Sequence, residues 1–228
     1  MIVSHKHRFI FLKTRKTGSS SVEVALSAIC GPDDVITPLM ARDEALRAGQ
    51  GARNYLIPAK YLPWHIYLAR PFLKEKKYKY PDHTRVETVR DHFGAAVFDS
   101  YVKVTILRNP WDREVSRFFW DNHFQRRYKN FESYLVERTK RDPLDNFLIH
   151  SIDGRNVADV LMRQDRLEED FTAFVRSLGV DNIPRLPRTK GEYRPREAQD
   201  YRTFYDDRTR ALVGEIYRRE IEEFGFRF

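Results

Sequence analysis

The stretch Arg8-Phe9-Ile10-Phe11-Leu12-Lys13-Thr14-Arg15-Lys16-Thr17-Gly18-Ser19-Ser20-Ser21-Val22-Glu23-Val24-Ala25-Leu26-Ser27-Ala28-Ile29 decides how the chain is read. Residues 8–13 are a short apolar, β-prone run, residues 14–20 a polar turn, and Ser21–Ile29 a helix-like segment. The order is strand, small-residue loop, helix. A tight Gly- and Ser-rich loop at a helix N-terminus presents backbone N–H groups to an anion, and the helix dipole adds to their pull. Lys16 adds a mobile positive charge, and Ser19, Ser20 and Ser21 add hydroxyl donors. An ordinary strand-to-helix turn whose serines cap the helix would look the same. A nucleotide triphosphatase would carry Gly-x-x-x-x-Gly-Lys-Ser/Thr, with its Lys after the second glycine. Here Lys16 precedes Gly18 and the loop has no glycine upstream, so that pattern fails while the phosphate-cradling physics survives.

Working outward, Thr84–Phe93 reads as a helix, Tyr101–Leu107 as a buried strand and Pro110–Arg126 as a long helix. Pro110 suits a helix start, where its missing N–H costs nothing. Val157–Met162 reads as a further strand and Leu167–Leu178 as its helix. Asn182–Arg202, with Pro184, Pro187 and Pro195, reads as a loop. Asp206 or Asp207 caps a final helix running through Glu223, with Leu212, Val213, Ile216 and Tyr217 on its apolar side. Residues 31–81 are weakly patterned and proline-bearing, which predicts loops and short helices. Strand–helix alternation predicts an α/β fold: three layers, P-loop-like, with a central, mainly parallel sheet flanked by helices, in one domain over 1–228.

Composition sets the outer limits. The 228 residues carry 41 Lys+Arg against 33 Asp+Glu, a net charge of +8, and are 41% hydrophobic with 14% aromatics. That is enough to bury a core, so disorder throughout is excluded. No apolar run approaches the ~18–20 residues of a membrane helix, and Lys6, Arg8 and Lys13 interrupt any signal-peptide core. Cys30 has no partner for an intrachain disulfide. A cytoplasmic protein without a membrane anchor is expected, of unspecified oligomeric state. Excess positive charge fits nucleic acid, an anionic membrane surface, an acidic substrate or a small phosphorylated ligand. No zinc-finger or aromatic nucleic-acid signature accompanies it, so no nucleic-acid partner is expected.

Val104-Thr105-Ile106-Leu107-Arg108-Asn109-Pro110-Trp111-Asp112-Arg113-Glu114-Val115-Ser116 supplies a second anchor. Arg108 stands at a strand end and Ser116 in the first turns of the next helix. An Arg binds phosphate bidentately and a hydroxyl completes the cage, although a structural ion pair is the simpler reading of Arg108 alone. Two phosphate sites at two strand ends suit a nucleotide phosphorylated at both 5′ and 3′ positions.

Together these segments resemble the sulfotransferases that use 3′-phosphoadenosine 5′-phosphosulfate (PAPS), most closely the carbohydrate-type branch. Lys16-Thr17-Gly18-Ser19-Ser20-Ser21 is similar to that family's 5′-phosphosulfate loop. Arg108-Asn109-Pro110-Trp111-Asp112-Arg113 with Ser116 is similar to its 3′-phosphate element. Gln164–Phe171 and the C-terminal run from Tyr205-Asp206-Asp207 to Phe224-Gly225-Phe226 also fit. The resemblance is clear over 8–30, 83–120 and 157–226 and thin over 31–80, so 31–82 is expected to be a variable, acceptor-side insertion. Ser19 and Ser20 replace the family's common Gly and Thr, and Arg15 a frequent Pro; none of these removes a backbone donor. The lack of a membrane anchor and of paired cysteines points to the bacterial-type soluble branch.

The resemblance implies sulfuryl transfer from PAPS to a hydroxyl, releasing 3′,5′-ADP and using no metal. Lys16 would stabilise the leaving group, and Arg15, Thr17, Gly18, Ser19, Ser20, Ser21, Arg108 and Ser116 would bind the nucleotide. His83, just before its helix, is the expected general base, with His92 and His65 as alternatives. Lys190 and Arg194 lie where such enzymes fold basic residues over the nucleotide, although a solvated charged loop reads the same. Lys74–Tyr80 would favour an anionic glycan as acceptor if it lines the cleft. Trp64, Tyr67 and Phe72 would favour a small alcohol or phenol. A kinase with a degenerate phosphate loop and a non-catalytic phosphate-binding module remain alternatives.

Overall fold

The structure is a computed structural model describing residues 1–228 apart from 48, 126, 142–144, 188–192 and 196–199. Its first two strands, β1 (Ile2–Ser4) and β2 (Phe9–Leu12), pair antiparallel across a tight turn. No glycine, proline or asparagine makes that turn. A distant carboxylate does: Asp34 accepts from the His5 and Lys6 amides at 2.7 and 3.1 Å and from the Ser4 hydroxyl at 2.7 Å. Helix α1 (Ser19–Ser27) follows β2, and β3 (Val35–Ile36) adds to the other side of β1.

The next segment holds only short helices, among them α2 (Ala41–Glu44) and α3 (Trp64–Ala69). Then α4 (Val86–Phe93) and α5 (Ala95–Ser100) lead into β4 (Val102–Leu107). Helices α6 (Pro110–Gln125), α7 (Phe131–Arg141) and α8 (Phe147–His150) come next, then a two-stranded hairpin of β5 (Ser151–Ile152) and β6 (Arg155–Asn156). Strand β7 (Val160–Arg163) and helices α9 (Leu167–Ser177), α10 (Asp207–Ile216) and α11 (Arg218–Phe224) complete the chain.

The main sheet has the order β3-β1-β2-β4-β7, with β2–β4 and β4–β7 parallel and β1 alone running against its neighbours. Strand β2 is buried on both faces, which is why it is apolar throughout. Phe9 and Phe11 pack on one side with Val22 and Leu26 of α1 and Phe171 and Phe174 of α9. Ile10 and Leu12 pack on the other with Val86 and Val89 of α4 and Phe98 of α5. The three layers therefore follow from the two-residue alternation along one strand. A third cluster gathers α6, α7, α10 and α11 around Trp111, Val115, Tyr134, Val213 and Tyr217. Strands β2, β4 and β7 end side by side, since Leu12 lies opposite Thr105 and Leu107 opposite Arg163. Their following loops must converge at one end of the sheet, where ligands bind in open α/β sheets. Among the described residues no helix is long and apolar enough to cross a membrane.

The mixed α/β architecture matches the sequence reading, with some shifts. The helix expected from Ser21 begins at Ser19, that from Thr84 begins at Val86, and the strand expected at Val157–Met162 is Val160–Arg163. The single helix expected through Glu223 is two helices that break at Tyr217. Its capping is as expected, because Asp206 accepts from the Thr209 amide at 2.7 Å. The break has a tertiary cause. The Tyr217 hydroxyl donates to buried Glu114 at 2.6 Å, and the redirected α11 brings Glu220 onto Arg113 through contacts of 2.5 and 2.7 Å.

Arg113 is fully buried, so removing its carboxylate would strand a desolvated cation. Glu220→Ala is expected to cost about 3–5 kcal/mol in urea unfolding. A loss below about 1 kcal/mol would mean that water reaches the pair.

Candidate functional site

The loop between β2 and α1 is locked from three sides. Thr14 is buried, and its hydroxyl donates to the Ile106 carbonyl of β4 at 2.6 Å, while Ser19 donates to the Thr14 carbonyl at 2.6 Å. Asn146, just before α8, clamps Arg15 by accepting from its amide at 2.8 Å and donating to its carbonyl at 2.9 Å. These contacts hold Lys16 at φ 62° and Gly18 at φ 82°, both left-handed. Glycine adopts that conformation freely; for Lys16 it costs roughly 1–2 kcal/mol, which the clamps must offset. A Cβ at Gly18 would also lie 3.2 Å from Leu167. The Lys16 ammonium rests 4.5 Å above the Trp120 ring of α6.

Arg108, at the end of β4, joins this loop to the second anchor. Its Nη1 donates to the Lys16 carbonyl at 2.9 Å and its Nε to Asp112 at 2.7 Å. The other Asp112 oxygen accepts from Arg194 at 2.5 Å. Burial alone would raise the Asp112 pKa, but the Arg108 charge and the bonds from both guanidinium groups hold it below the ordinary range. Burial lowers the Arg108 pKa, with Asp112 opposing.

His83 is set by the chain just ahead of α4. Thr84 donates to the Pro81 carbonyl at 2.6 Å, closing the turn, and His83 Nδ1 lies 2.8 Å from the Lys13 carbonyl. A carbonyl only accepts, so Nδ1 carries the proton and Nε2 keeps its lone pair. Burial pushes the His83 pKa down to about 3, and the Lys13 and Arg15 charges add to that while the bond to the Lys13 carbonyl opposes it. Lys13 is fixed in turn by Glu23 of α1, at 2.8 Å. Glu23 is wholly buried and also contacts the Met1 ammonium and Arg47, each at 3.1 Å. Desolvation would raise its pKa, but Lys13 and these other cations hold it down at about 2.

These groups surround one cavity of about 510 Å³. Of the residues singled out in the sequence, Arg15, Lys16, Gly18, Ser19, Ser20, His83, Arg108, Ser116 and Arg194 line it. Thr17 and Ser21 do not; both are buried, with Thr17 bonded to Thr14 Oγ1 at 2.9 Å. Lys190 lies outside the described residues. His92 is stacked on Tyr61 at 4.1 Å and His65 sits on α3 against Trp64, and neither lines the cavity. Nor do Trp64, Tyr67, Phe72, Lys74, Lys77 or Lys79, so neither acceptor argument built on them applies to this cleft.

Sequence reasoning missed Lys13, Arg117, Trp120, Asp121, Asp82, Gln164, Leu39 and Met40 in the lining. Helical spacing from Ser116 offered a signal for Trp120, one turn on. Burial raises the Asp121 pKa, with Arg117 and Lys16 opposing. Six cationic side chains (Lys13, Arg15, Lys16, Arg108, Arg117 and Arg194) thus face two carboxylates, Asp82 and Asp121. The excess of cations in the lining is electrostatically suited to a polyanion. Among the described residues no group of three or more His, Cys, Asp or Glu is placed to hold a metal ion.

Comparison with known proteins gives a family. A family model described as the sulfotransferase family matches residues 1–227. An uncharacterized protein of Archaeoglobus fulgidus is 27% identical over 96 residues, 40% of this chain and 79% of that protein. No solved structure matches the chain.

The His83 environment has a pH consequence. From its ordinary pKa of 6.5 down to about 3, unfolded chains bind a proton that the folded imidazole does not, so acidification through that window favours unfolding. Between about pH 7.5 and about pH 5, wild type is expected to lose on the order of 1–2 kcal/mol more stability than His83→Gln in urea unfolding. Equal losses would mean that the folded imidazole titrates normally.

Proposed function

The chain belongs to the sulfotransferase family, and from that membership we propose that it transfers a sulfuryl group from PAPS to the hydroxyl of an acceptor, a carbohydrate or another small alcohol. The single observation that carries this reading is the joining of the two anchors. Lys16, Ser19 and Ser20 share one cationic cavity with Arg108 and Ser116, and the Arg108 guanidinium is bonded to the Lys16 carbonyl. A nucleotide charged at both ends needs two cationic sites at a fixed separation, and that bond fixes it.

In the transfer, the acceptor oxygen forms a bond to sulfur as the bond from sulfur to the 5′-phosphate oxygen breaks. The sulfuryl group moves, the acceptor proton passes to His83 Nε2, and 3′,5′-ADP leaves. Negative charge grows on the departing oxygen, where Lys16 and the N-terminus of α1 stabilise it. For this Lys16 exchanges the Trp120 ring for the ligand. Arg15 and the hydroxyls of Ser19 and Ser20 belong to the same end. Arg108, Ser116 and Arg194 take the 3′-phosphate, with Arg194 also bonded to Asp112. The amides of Thr17 and Ser21 belong to the loop, although their side chains face inward. No metal takes part.

His83 is neutral at physiological pH, as an acceptor of protons must be, but a pKa of about 3 makes it a weak base. Burial is the main cause of that depression, and an anionic nucleotide would offset only the smaller part that the Lys13 and Arg15 charges contribute. Leu39, Met40 and Asp82 bring the 31–82 segment to the cleft, which supports reading it as the acceptor side. The buried, lone Cys30, whose thiol burial pushes up to about 12, accords with a cytoplasmic setting. A phosphoryl-transfer reading would rest on Asp82 and Asp121 as magnesium carboxylates. Each already faces a cation, Lys13 at 3.8 Å from Asp82 and Arg117 at 3.4 Å from Asp121.

Calorimetric titration tests the reading. Wild type is expected to bind 3′,5′-ADP with micromolar affinity and Arg108→Ala to lose most of it; preference for magnesium-ATP would overturn the proposal. His83→Ala is expected to slow transfer by about 10²–10⁴-fold while still binding 3′,5′-ADP. Near-wild-type turnover would remove His83 as the base.

A further inference from the structure

Most large apolar side chains of this fold are buried, but the three most exposed among the described residues fall within nine positions. Trp64 is 75%, Leu68 65% and Phe72 91% exposed, and Tyr67 between them is 50% exposed. Spacing of three and four residues from Trp64 puts Tyr67 and Leu68 on its side of α3, and Phe72 ends the turn that follows. An amphipathic helix of a globular protein turns such a stripe inward; here it is turned outward.

The stripe sits on a projection with a closed base. Leu56 and Lys79 form an antiparallel bridge, and the Ile57 amide donates to the Tyr78 carbonyl at 2.9 Å. Tyr61, stacked at 4.1 Å on His92 of α4, fastens the projection to the body of the protein. The segment that carries the apolar face is strongly cationic in sequence. Residues 60–79 contain Lys60, Arg70, Lys74, Lys76, Lys77 and Lys79 against the single acid Glu75. Lys60 and Arg70 lie over aromatic rings, each 4.7 Å from the centroid of Tyr61 or Tyr78. None of Trp64, Tyr67, Leu68 and Phe72 lines the cationic cavity.

We propose that residues 60–79 dock the protein on an anionic membrane surface. Trp64, Tyr67, Leu68 and Phe72 would enter the boundary between headgroups and acyl chains, with the lysines and Arg70 held at the phosphate level. Charge complementarity selects this occupant. A second copy of this chain would bring the same cations against themselves, whereas an anionic leaflet offers negative charge around an apolar interior. Indole and phenol rings favour that boundary, and Lys and Arg stems reach from it to the headgroups. Because the contact is made by one short face and not by a spanning segment, binding is reversible and salt-sensitive. It does not depend on the chemistry of the cleft.

Co-sedimentation of the intact protein with phosphatidylcholine vesicles, with and without about one-third phosphatidylglycerol, tests the proposal. Binding is expected to be at least about tenfold stronger on the anionic vesicles and to weaken with salt. Trp64→Ser/Phe72→Ser and Lys74→Glu/Lys77→Glu are each expected to reduce it by about tenfold or more, with unchanged circular dichroism. Tryptophan emission should shift to the blue on anionic vesicles in wild type but not in Trp64→Phe. Equal binding to both vesicle types, no binding to either, or unchanged binding by both double variants would overturn the proposal. So would self-association that Trp64→Ser/Phe72→Ser abolishes in the absence of vesicle binding, since the face would then serve a second copy.

Discussion

A fully buried carboxylate, Glu23, has to be surrounded by positive charge, and much of the site is arranged by how that requirement is met. Desolvating an isolated carboxylate costs many kcal/mol, so the position is tolerable only with close cations. Lys13 comes from the end of β2, Arg47 from the segment after β3, and the Met1 ammonium from the start of β1. One charge on α1 therefore ties together the first strand, the end of β2 and the segment after β3. It also decides where the Lys13 backbone lies, and the carbonyl of that residue fixes the His83 tautomer. The His83 ring is thus held by a residue whose own side chain is paired with a buried carboxylate.

The rest of the cleft follows from strand order. Parallel pairing of β2, β4 and β7 delivers three loops to one end of the sheet, and each supplies part of the lining. The β2–α1 loop carries Lys16 in a conformation that non-glycine residues avoid, and hydrogen bonds to the Ile106 carbonyl of β4 and to the Asn146 side chain keep it there. Strain of this kind persists only where the surroundings over-determine it. The Lys16 backbone is therefore held at a fixed place on the rim, with its ammonium over the Trp120 ring.

Legibility in the sequence was a matter of range. The anion loop, Arg108 and Ser116 were readable because strand, turn and helix signals are local and the residues sit at their junctions. His83 came from resemblance; its bond to Lys13, 70 positions away in sequence, leaves no local trace. Trp120, Asp121 and Arg117 were missed because only the placement of α6 across the strand ends brings that face into the cleft. The reversed β1 and the break at Tyr217 were hidden for a related reason. Asp34 makes the first turn and Glu114 holds the second site, so neither bend is encoded by the residues that bend. The aromatic and basic run after Trp64 left its surface open in the sequence, and its residues are not among those that line the cavity.

The carboxylate of Asp112 gives the cleft a property that counting its cations would not suggest. Arg108 and Arg194 are already satisfied by an internal anion, so an arriving ligand does not fill a bare positive hole. It competes with a tethered rival that needs no concentration to be present. Only a group offering more charge and more acceptor atoms than one carboxylate gains by the exchange, whereas chloride and other simple anions of the cell gain little. At Arg108 and Arg194, then, Asp112 sets a threshold that any arriving anion has to exceed.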